Sequence, residues 1–330
     1  MLRLPPFKYL APQSIKEAVT LKHQFGESAM YFAGGTDLFP NMKRRQYNTK
    51  ILIGLRNLKE LRKIDFEDGL KIGAGVTLST LEENSEIRKN YPVLAKAAGL
   101  VSTPQLRNMG TIGGNLCLDT RCSYYNQNYQ WRKSLGFCMK KDGKKCWVAL
   151  SSPKCLAVSS SDCAPVIMAL NGEIKLIGHE GERRIPANDF YINDGITFLN
   201  KKPDELVVSL SLPPLKEGWI MNYEKLRRRD SIDFPILGVA IALRLKDSGE
   251  CEEARIVIGA VASSPLRAYE AEKKIIGKKL SSDRIELAAK IVSKIAKPVE
   301  NTDMSLFFRK KMVRQFVIKA IQEVLVNKKR

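Results

Sequence analysis

The chain has 330 residues, 44% of them hydrophobic and 27% charged, with 55 Lys and Arg against 35 Asp and Glu. That length exceeds one small core, so two or three domains are expected, and the formal charge of +20 points to an acidic partner or a basic surface. No apolar run approaches the roughly 20 residues of a membrane span. The opening "MLRLPPFKYLAPQS" has prolines where a signal peptide needs an apolar stretch. The expectation is a cytoplasmic protein with no membrane partner.

In chain order, residues 14–25 ("SIKEAVTLKHQF") predict an amphipathic helix, with Ser14 as N-cap and Glu17 completing a capping box. "AMYFAGGTDLFP" (29–40) reads as a strand entering a glycine turn, and "KILIGLRNL" (50–58) as a second apolar strand. "LKIGAGVTLSTLEEN" (70–84) gives a strand, a turn and a helix start. "YPVLAKAAGLVS" (91–102) is helical and leads into a second glycine turn, "TPQLRNMGTIGGNLC". "SDCAPVIMALNGEIKLIG" (161–178) reads as helix then strand, and "ELVVSLSLPP" (205–214) as a strand closed by a proline pair. Beyond it come long strands and then three amphipathic helices, apolar at i, i+3, i+4 and i+7. The fold class is α+β: a first unit to about residue 215, then a smaller unit of strands and helices.

The turns "AGGTDL" and "TIGGN" have the residues of anion cradles. Paired glycines let backbone N–H groups approach a phosphate closely. A plain tight turn is the competing reading, and neither stretch matches a P-loop or G-x-G-x-x-G. Two such turns could clamp the pyrophosphate of a dinucleotide such as FAD. His23 and His179 are the only histidines, neither lies in a nucleophile–base constellation, and G-x-S-x-G is absent. The chemistry is therefore expected to reside in cofactors. No nucleic-acid motif accompanies the charge. Nucleic acid is not an expected partner, and a nucleic-acid-binding protein is the remote alternative.

Residues 121–155 form an irregular segment with four of the seven cysteines, Cys122, Cys138, Cys146 and Cys155, and two of the three tryptophans. Eight Lys or Arg stand there against one acid, Asp142. In a reducing compartment such cysteines are more often metal ligands than disulfides. Successive cysteines are separated by fifteen, seven and eight residues, which is neither a C-x-x-C knuckle nor a compact ferredoxin run. The residues alone leave an iron–sulfur cluster, a structural zinc and free thiols open. Cys117, Cys163 and Cys251 read as small buried hydrophobes.

The ordered stretches "FKYLAPQSIKEAV", "AGGTDLFPNMK", "LKIGAGVTLSTLEE", "TPQLRNMGTIGGN", "SDCAPVIMAL", "RIPANDF", "YEKLRRR" and "SSPLRAYEAE" resemble the FAD-binding subunit of the molybdenum hydroxylases, the family of xanthine dehydrogenase. The resemblance spans nearly the whole chain. It implies a two-subdomain FAD-binding domain of the vanillyl-alcohol-oxidase (PCMH) type over 1–215 and a C-terminal α/β domain over 216–330. It also implies that Tyr31, Phe32, Ala33, Gly34, Gly35, Thr36, Asp37 and Leu38, with Thr111, Ile112, Gly113, Gly114 and Asn115, hold the pyrophosphate and ribityl chain of FAD. Val101 would lie near the adenine, and Asp162 and Lys225 would contact the flavin. Read by themselves, Asp162 is a helix cap and Lys225 part of a solvated basic run.

In most of that family the SD motif closely follows GGN; here an insertion over about 117–160 intervenes. In this the chain resembles the 4-hydroxybenzoyl-CoA reductase branch, whose flavin subunit binds a 4Fe-4S cluster through four cysteines of such an insertion. The resemblance implies Cys122, Cys138, Cys146 and Cys155 as cluster ligands, ferredoxin as electron donor, and a molybdopterin-containing large subunit and a 2Fe-2S small subunit as partners in paired heterotrimers. Electrons would pass through 4Fe-4S and FAD toward 2Fe-2S and molybdenum, for reductive dehydroxylation of 4-hydroxybenzoyl-CoA. The alternative is an NAD-linked flavin subunit of the xanthine or aldehyde dehydrogenase type with a zinc-bound or empty cysteine loop. Arg132, Lys133, Lys140, Lys141, Lys144 and Lys145 are the expected ferredoxin-docking face, against a solvated basic loop. Tyr124, Tyr125, Tyr129, Trp131, Phe137 and Trp147 either shield the cluster or pack the insertion.

Overall fold

The computed structural model describes residues 2–328. Three sheets organise the chain. The first holds β1 (Lys8–Leu10), β2 (Ala29–Phe32) and β3 (Ile51–Gly54), parallel in the order β1-β3-β2. The helix Ile15–Phe25 crosses between its first two strands. Ser14 Oγ accepts from Glu17 N at 3.1 Å, and Glu17 returns the contact by accepting from Gln13 N at 2.8 Å. That is the reciprocal cap expected from the sequence, with the return contact one residue earlier. Ile15, Ala18 and Val19 turn inward to meet Ala29, Ile51 and Ile53.

The second sheet holds β4 (Ile64–Asp65), β5 (Leu70–Gly73), β6 (Glu173–Gly178), β7 (Gly181–Pro186) and β8 (Leu206–Leu212), antiparallel in the order β4-β5-β8-β6-β7. Its apolar side is covered by the short helices Leu78–Glu83, Pro92–Gly99 and Cys163–Ala169, around a core containing Ile72, Leu94, Val166 and Leu210. Almost a hundred residues separate β5 from β6 in sequence, and both glycine turn 111–115 and the cysteine insertion lie in that excursion.

The third sheet holds β9 (Trp219–Leu226), β10 (Leu237–Leu245), β11 (Glu250–Gly259), β12 (Leu266–Arg267) and β13 (Lys278–Lys279), in the order β12-β11-β10-β9 with β13 beside β11. Period-two alternation gives β10 two different apolar faces. Leu237, Val239, Ile241 and Leu243 pack toward the helices Tyr269–Ile275, Ser282–Ile295 and Leu306–Lys328, with Ala289, Val292, Val317 and Ile321 among their neighbours. Ala240 and Ala242 face the other way, into the core around Val166. Small residues there let the helix Cys163–Ala169 approach. At Gly259 a methyl group would meet Pro165 Cγ at 2.8 Å, so a larger residue would push that helix off the sheet. The two apolar faces explain why both units are joined through one core. Among the described residues no helix is long and apolar enough to cross a membrane.

Candidate functional site

The residues of the first glycine turn leave β2 and enter the helix Leu38–Lys43. Gly35 has φ +71, a conformation costly for residues with a Cβ. A Cβ at Gly34 would overlap the Met109 carbonyl, so the turn lies directly against the segment leading to the second turn. Among the described residues the peptide N–H groups of Gly34, Gly35, Thr36 and Asp37 donate to no protein acceptor. Four neighbouring free donors in a glycine turn suit an anionic phosphate oxygen. Phe32 and Phe39 flank the turn with ring centroids 4.8 Å apart. Tyr31 points elsewhere, donating from its hydroxyl to the Asp204 carbonyl at 2.7 Å. Asp37 accepts from Asn41 Nδ2 at 2.8 Å and from Arg121 Nη1 at 3.3 Å. Burial pushes its carboxyl up, and Arg121 opposes that.

The second turn is satisfied internally. Ile112 N donates to the Val76 carbonyl and Gly113 N to the Ala74 carbonyl, each at 2.9 Å. Thr111 Oγ1 accepts from Gly114 N at 3.1 Å, capping the helix Ile112–Leu116. A Cβ on Gly113 would meet Ala74 Cβ at 2.7 Å, so this glycine serves close backbone packing. Unlike those of the first turn, the N–H groups of Ile112, Gly113 and Gly114 are taken by acceptors within the protein. Asn115 extends the turn: its Oδ1 accepts from Ser161 Oγ at 2.7 Å and Cys163 N at 3.2 Å.

Asp162 occupies the N-cap position of the helix Cys163–Ala169 but makes no cap bond. It accepts instead from Tyr223 OH at 2.8 Å and Lys225 Nζ at 3.0 Å, and Lys225 Nζ also donates to the Leu100 carbonyl at 2.8 Å. The Lys225 side chain is 1% exposed, so it is not part of a solvated run. Burial raises the Asp162 carboxyl, and Lys225 and Tyr223 offset that only in part. Lys225 carries the site back to Val101, whose carbonyl accepts from Arg107 Nη1. The expected residues thus form one strip, from the first turn through Met109 to Thr111–Asn115, then to Asp162, Lys225 and residues 100–101. Tyr223 and Ser161 escaped the sequence reading. Tyr223 carried a signal, since it shares a strand face with Lys225 two positions on.

The cysteine insertion closes on itself. An isolated bridge pairs Arg121 with Val158, through N–H···O bonds of 2.8 and 2.7 Å, and so brings its two ends together. Cys122 starts a turn in which Tyr125 N and Asn126 N donate to its carbonyl. The helix Tyr129–Ser134 is capped by Asn128, and Gly136 and Phe137, both at positive φ, reverse the chain into Cys138. As a result Cys122, Cys138, Cys146 and Cys155 line a single cavity with Tyr124, Tyr125, Met139, Lys140, Trp147, Val148 and Ala157. The cavity is small: about 10 Å³ of it admits the centre of a water molecule. Burial pushes the Cys122 and Cys155 thiols up to about 11. Cys163 and Cys251 are fully buried elsewhere, whereas Cys117 is only partly so.

Two members of the expected docking face are not on the surface. Arg132 is buried, and its Nη2 donates to the Arg44 and Arg45 carbonyls at 3.0 and 2.9 Å. The Lys140 side chain is 6% exposed, and its ammonium donates to Asp119 Oδ1 at 2.8 Å and to the Gly195 carbonyl, outside the insertion, at 2.5 Å. Both hold the insertion to the body of the chain, because a long cation whose donors find fixed oxygens is lost to solvent. Lys133, Lys144 and Lys145 are exposed, and Lys141 is half-buried and pairs with Asp142. Of the aromatics, Tyr124, Tyr125 and Trp147 line the cavity, while Tyr129 and Trp131 are exposed.

Between the insertion and the C-terminal unit lies a second, larger crevice of about 240 Å³, lined by Arg121, Ser160, Arg228, Phe234, Ile236 and Thr302 among others. The Arg121 guanidinium sits 3.8 Å over the Phe234 ring. Arg121 therefore touches the first glycine turn through Asp37, the crevice through Phe234, and the cysteine cavity through its neighbour Cys122. Nothing in the sequence marked it.

Residues 5–215 match the FAD binding domain in molybdopterin dehydrogenase, and residues 221–324 match the CO dehydrogenase flavoprotein C-terminal domain. The chain belongs to the FAD-binding subunits of the molybdenum hydroxylases. It is 30% identical to the glyceraldehyde dehydrogenase medium chain of Sulfolobus acidocaldarius, over 97% of this chain and 99% of that protein. It is 29% identical to the carbon monoxide dehydrogenase medium chain of Hydrogenophaga pseudoflava, over 96% of each. A solved carbon monoxide dehydrogenase from that organism, lacking the Mo-pyranopterin moiety of its molybdenum cofactor, superposes with a TM-score of 0.82, at 28% identity over 98% of this chain and 99% of that one. This FAD-binding subunit is thus a medium subunit of a multi-subunit oxidoreductase, with the mixed two-domain architecture of that group. The free N–H groups of Gly34 to Asp37 fit the phosphates of its FAD.

Proposed function

We propose that this FAD-binding subunit carries electrons from ferredoxin through a 4Fe-4S cluster and FAD toward a 2Fe-2S small subunit and a molybdopterin large subunit, for reductive dehydroxylation of 4-hydroxybenzoyl-CoA. The convergence of four insertion cysteines on one cavity carries this reading. A single zinc ion, with Zn–S bonds near 2.3 Å, needs thiolates within roughly 4 Å of one another. Among the described residues no group of three or more His, Cys, Asp or Glu is arranged to hold a metal ion. Four thiols around a shared, largely apolar space suit the larger cluster, which supplies one-electron chemistry when bound.

The residues then take these roles. Cys122, Cys138, Cys146 and Cys155 are the ligands. Tyr124, Tyr125 and Trp147 keep water from them. Gly34 to Asp37 bind the FAD pyrophosphate, Thr111 to Asn115 set the position of that turn and of the Ser161–Asp162 segment, and Asp162 and Lys225 fix the flavin side. Docking falls to the exposed side chains of the insertion, which include Tyr129, Trp131, Leu135 and Leu150 as well as Lys133, Lys144 and Lys145. Exposed apolar and lysine side chains together suit an acidic electron carrier.

The test is anaerobic isolation with iron, sulfide, zinc and FAD counted per chain, followed by EPR of the reduced protein. About four irons and four sulfides with one FAD, and a cluster signal lost in Cys138→Ala and Cys146→Ala, sustain the proposal. FAD with zinc or with no metal sinks it. That outcome would favour the second reading, an oxidative NAD-linked hydroxylase subunit, for which the dehydrogenase names of the relatives speak.

A further inference from the structure

One charged side chain lines the cysteine cavity, Lys140. It is 6% exposed, and its ammonium donates to Asp119 Oδ1 at 2.8 Å, Thr120 Oγ1 at 2.7 Å and the Gly195 carbonyl at 2.5 Å. Three donors meet three fixed acceptors, so the charge cannot swing out to solvent. Asp119 is not among the cavity-lining residues. Its other oxygen accepts from Tyr47 OH at 2.6 Å and Tyr125 OH at 3.0 Å, which fixes the carboxylate in place. The Lys140 ammonium also lies 4.9 Å from the Tyr125 ring centroid, itself part of the cavity wall. The pair is therefore an oriented dipole, with its cationic end at the thiols and its anionic end behind. Gly195 keeps this wall close, since a Cβ there would meet Cys155 Sγ at 2.6 Å.

We infer that the Lys140–Asp119 pair sets the reduction potential of the redox centre held by the four cysteines, raising it relative to an uncharged wall. The inference rests on the cluster reading above. In the step concerned, a low-potential one-electron carrier is oxidised and the thiolate-bound centre gains that electron, adding one unit of negative charge with no proton or leaving group. A fixed cation at low dielectric favours the more negative state, whereas the anion behind it opposes that state from a greater distance. Neutralising the two partners must therefore move the potential in opposite directions. A purely structural tie between the insertion and residues 119–120 and 195 would not do so.

The experiment is redox-poised EPR on the anaerobically isolated complex, with iron, sulfide and FAD counted in each variant. Lys140→Met is expected to lower the cluster midpoint, Asp119→Asn to raise it, and Lys140→Arg to stay near the parent value. The inference is overturned if the first two variants keep their iron and leave the midpoint unmoved, or move it the same way. If Lys140→Met sheds its iron, Asp119→Asn decides alone: an upward shift upholds the inference, and no shift or a downward one ends it. Loss of the cluster from both gives the pair a structural role and also ends it. A parent complex without iron removes the cluster reading itself, which is distinct from iron present with unresponsive potentials.

Discussion

The turns at 33–38 and 111–115 both join paired glycines to threonine, and the fold uses them for different ends. The first emerges from an outer sheet with its N–H groups uncommitted, one of its glycines at positive φ. The second is threaded beside residues 74–78, whose carbonyls take the N–H groups of Ile112 and Gly113. Composition therefore marks where the backbone comes close to something. It does not say whether that something is a ligand or another strand of the same chain.

Substitutions can break or sharpen this contrast. The largest effect is expected at the far end of the strip that the second turn supports. Lys225→Met leaves Asp162 buried without its cation, which should cost about 3–5 kcal/mol. Thermal unfolding of the FAD-free protein should fall accordingly. A variant as stable as the parent would show that the strip is not held from this side. Next comes Gly113→Ala, where the new methyl meets Ala74. Overpacking of this kind costs about 1–3 kcal/mol, again visible without FAD. Gly35→Ala should differ in adding a ligand effect. Its methyl meets the Phe32 ring at 2.5 Å and its φ is +71, so FAD-free stability falls here too, but FAD affinity should fall as well, by at least about tenfold or 1.4 kcal/mol, measured by fluorescence titration. If Gly113→Ala weakened FAD binding without destabilising the fold, the contrast drawn here would be reversed.

The smallest effect at neutral pH concerns a site remote from both turns, and it serves as a control. Glu224 is bound by Lys96 at 2.8 Å and Lys319 at 2.6 Å, joining the helix Pro92–Gly99 to the last helix. Although burial raises its carboxyl, those lysines more than offset this and bring it down to about 2. A depressed folded value means the unfolded chain takes up the proton first. The contribution is thus complete above the ordinary carboxylate range and is lost as pH falls through it toward 2. Urea midpoints should drop between pH 6 and pH 3, and Glu224→Gln should flatten that drop while leaving FAD affinity unchanged.

Particular residues show how far the sequence could be read. Ser14 and Glu17 announce a helix start because a cap is an interaction between near neighbours. The alternating Leu237, Val239, Ile241 and Leu243 announce a strand for the same reason. Arg132 and Lys140 were misread as surface. A basic run is solvated unless distant oxygens fix it, and the Arg44, Arg45 and Gly195 carbonyls come from elsewhere in the chain. Asp162 was open to reading as a cap, because Tyr223 and Lys225 lie some sixty residues away.

By itself the sequence determined the elements, their order, the glycine-turn positions and the family, since all of these are written in local periodicity and in motifs of a few residues. Tertiary structure alone decided which turn keeps free donors and which lysine faces the thiols. It also decided that four cysteines spread over residues 122–155 share one cavity. Those outcomes depend on which remote backbone satisfies each polar group. A buried donor takes the nearest fixed acceptor, and spacing along the chain does not reveal which one that is.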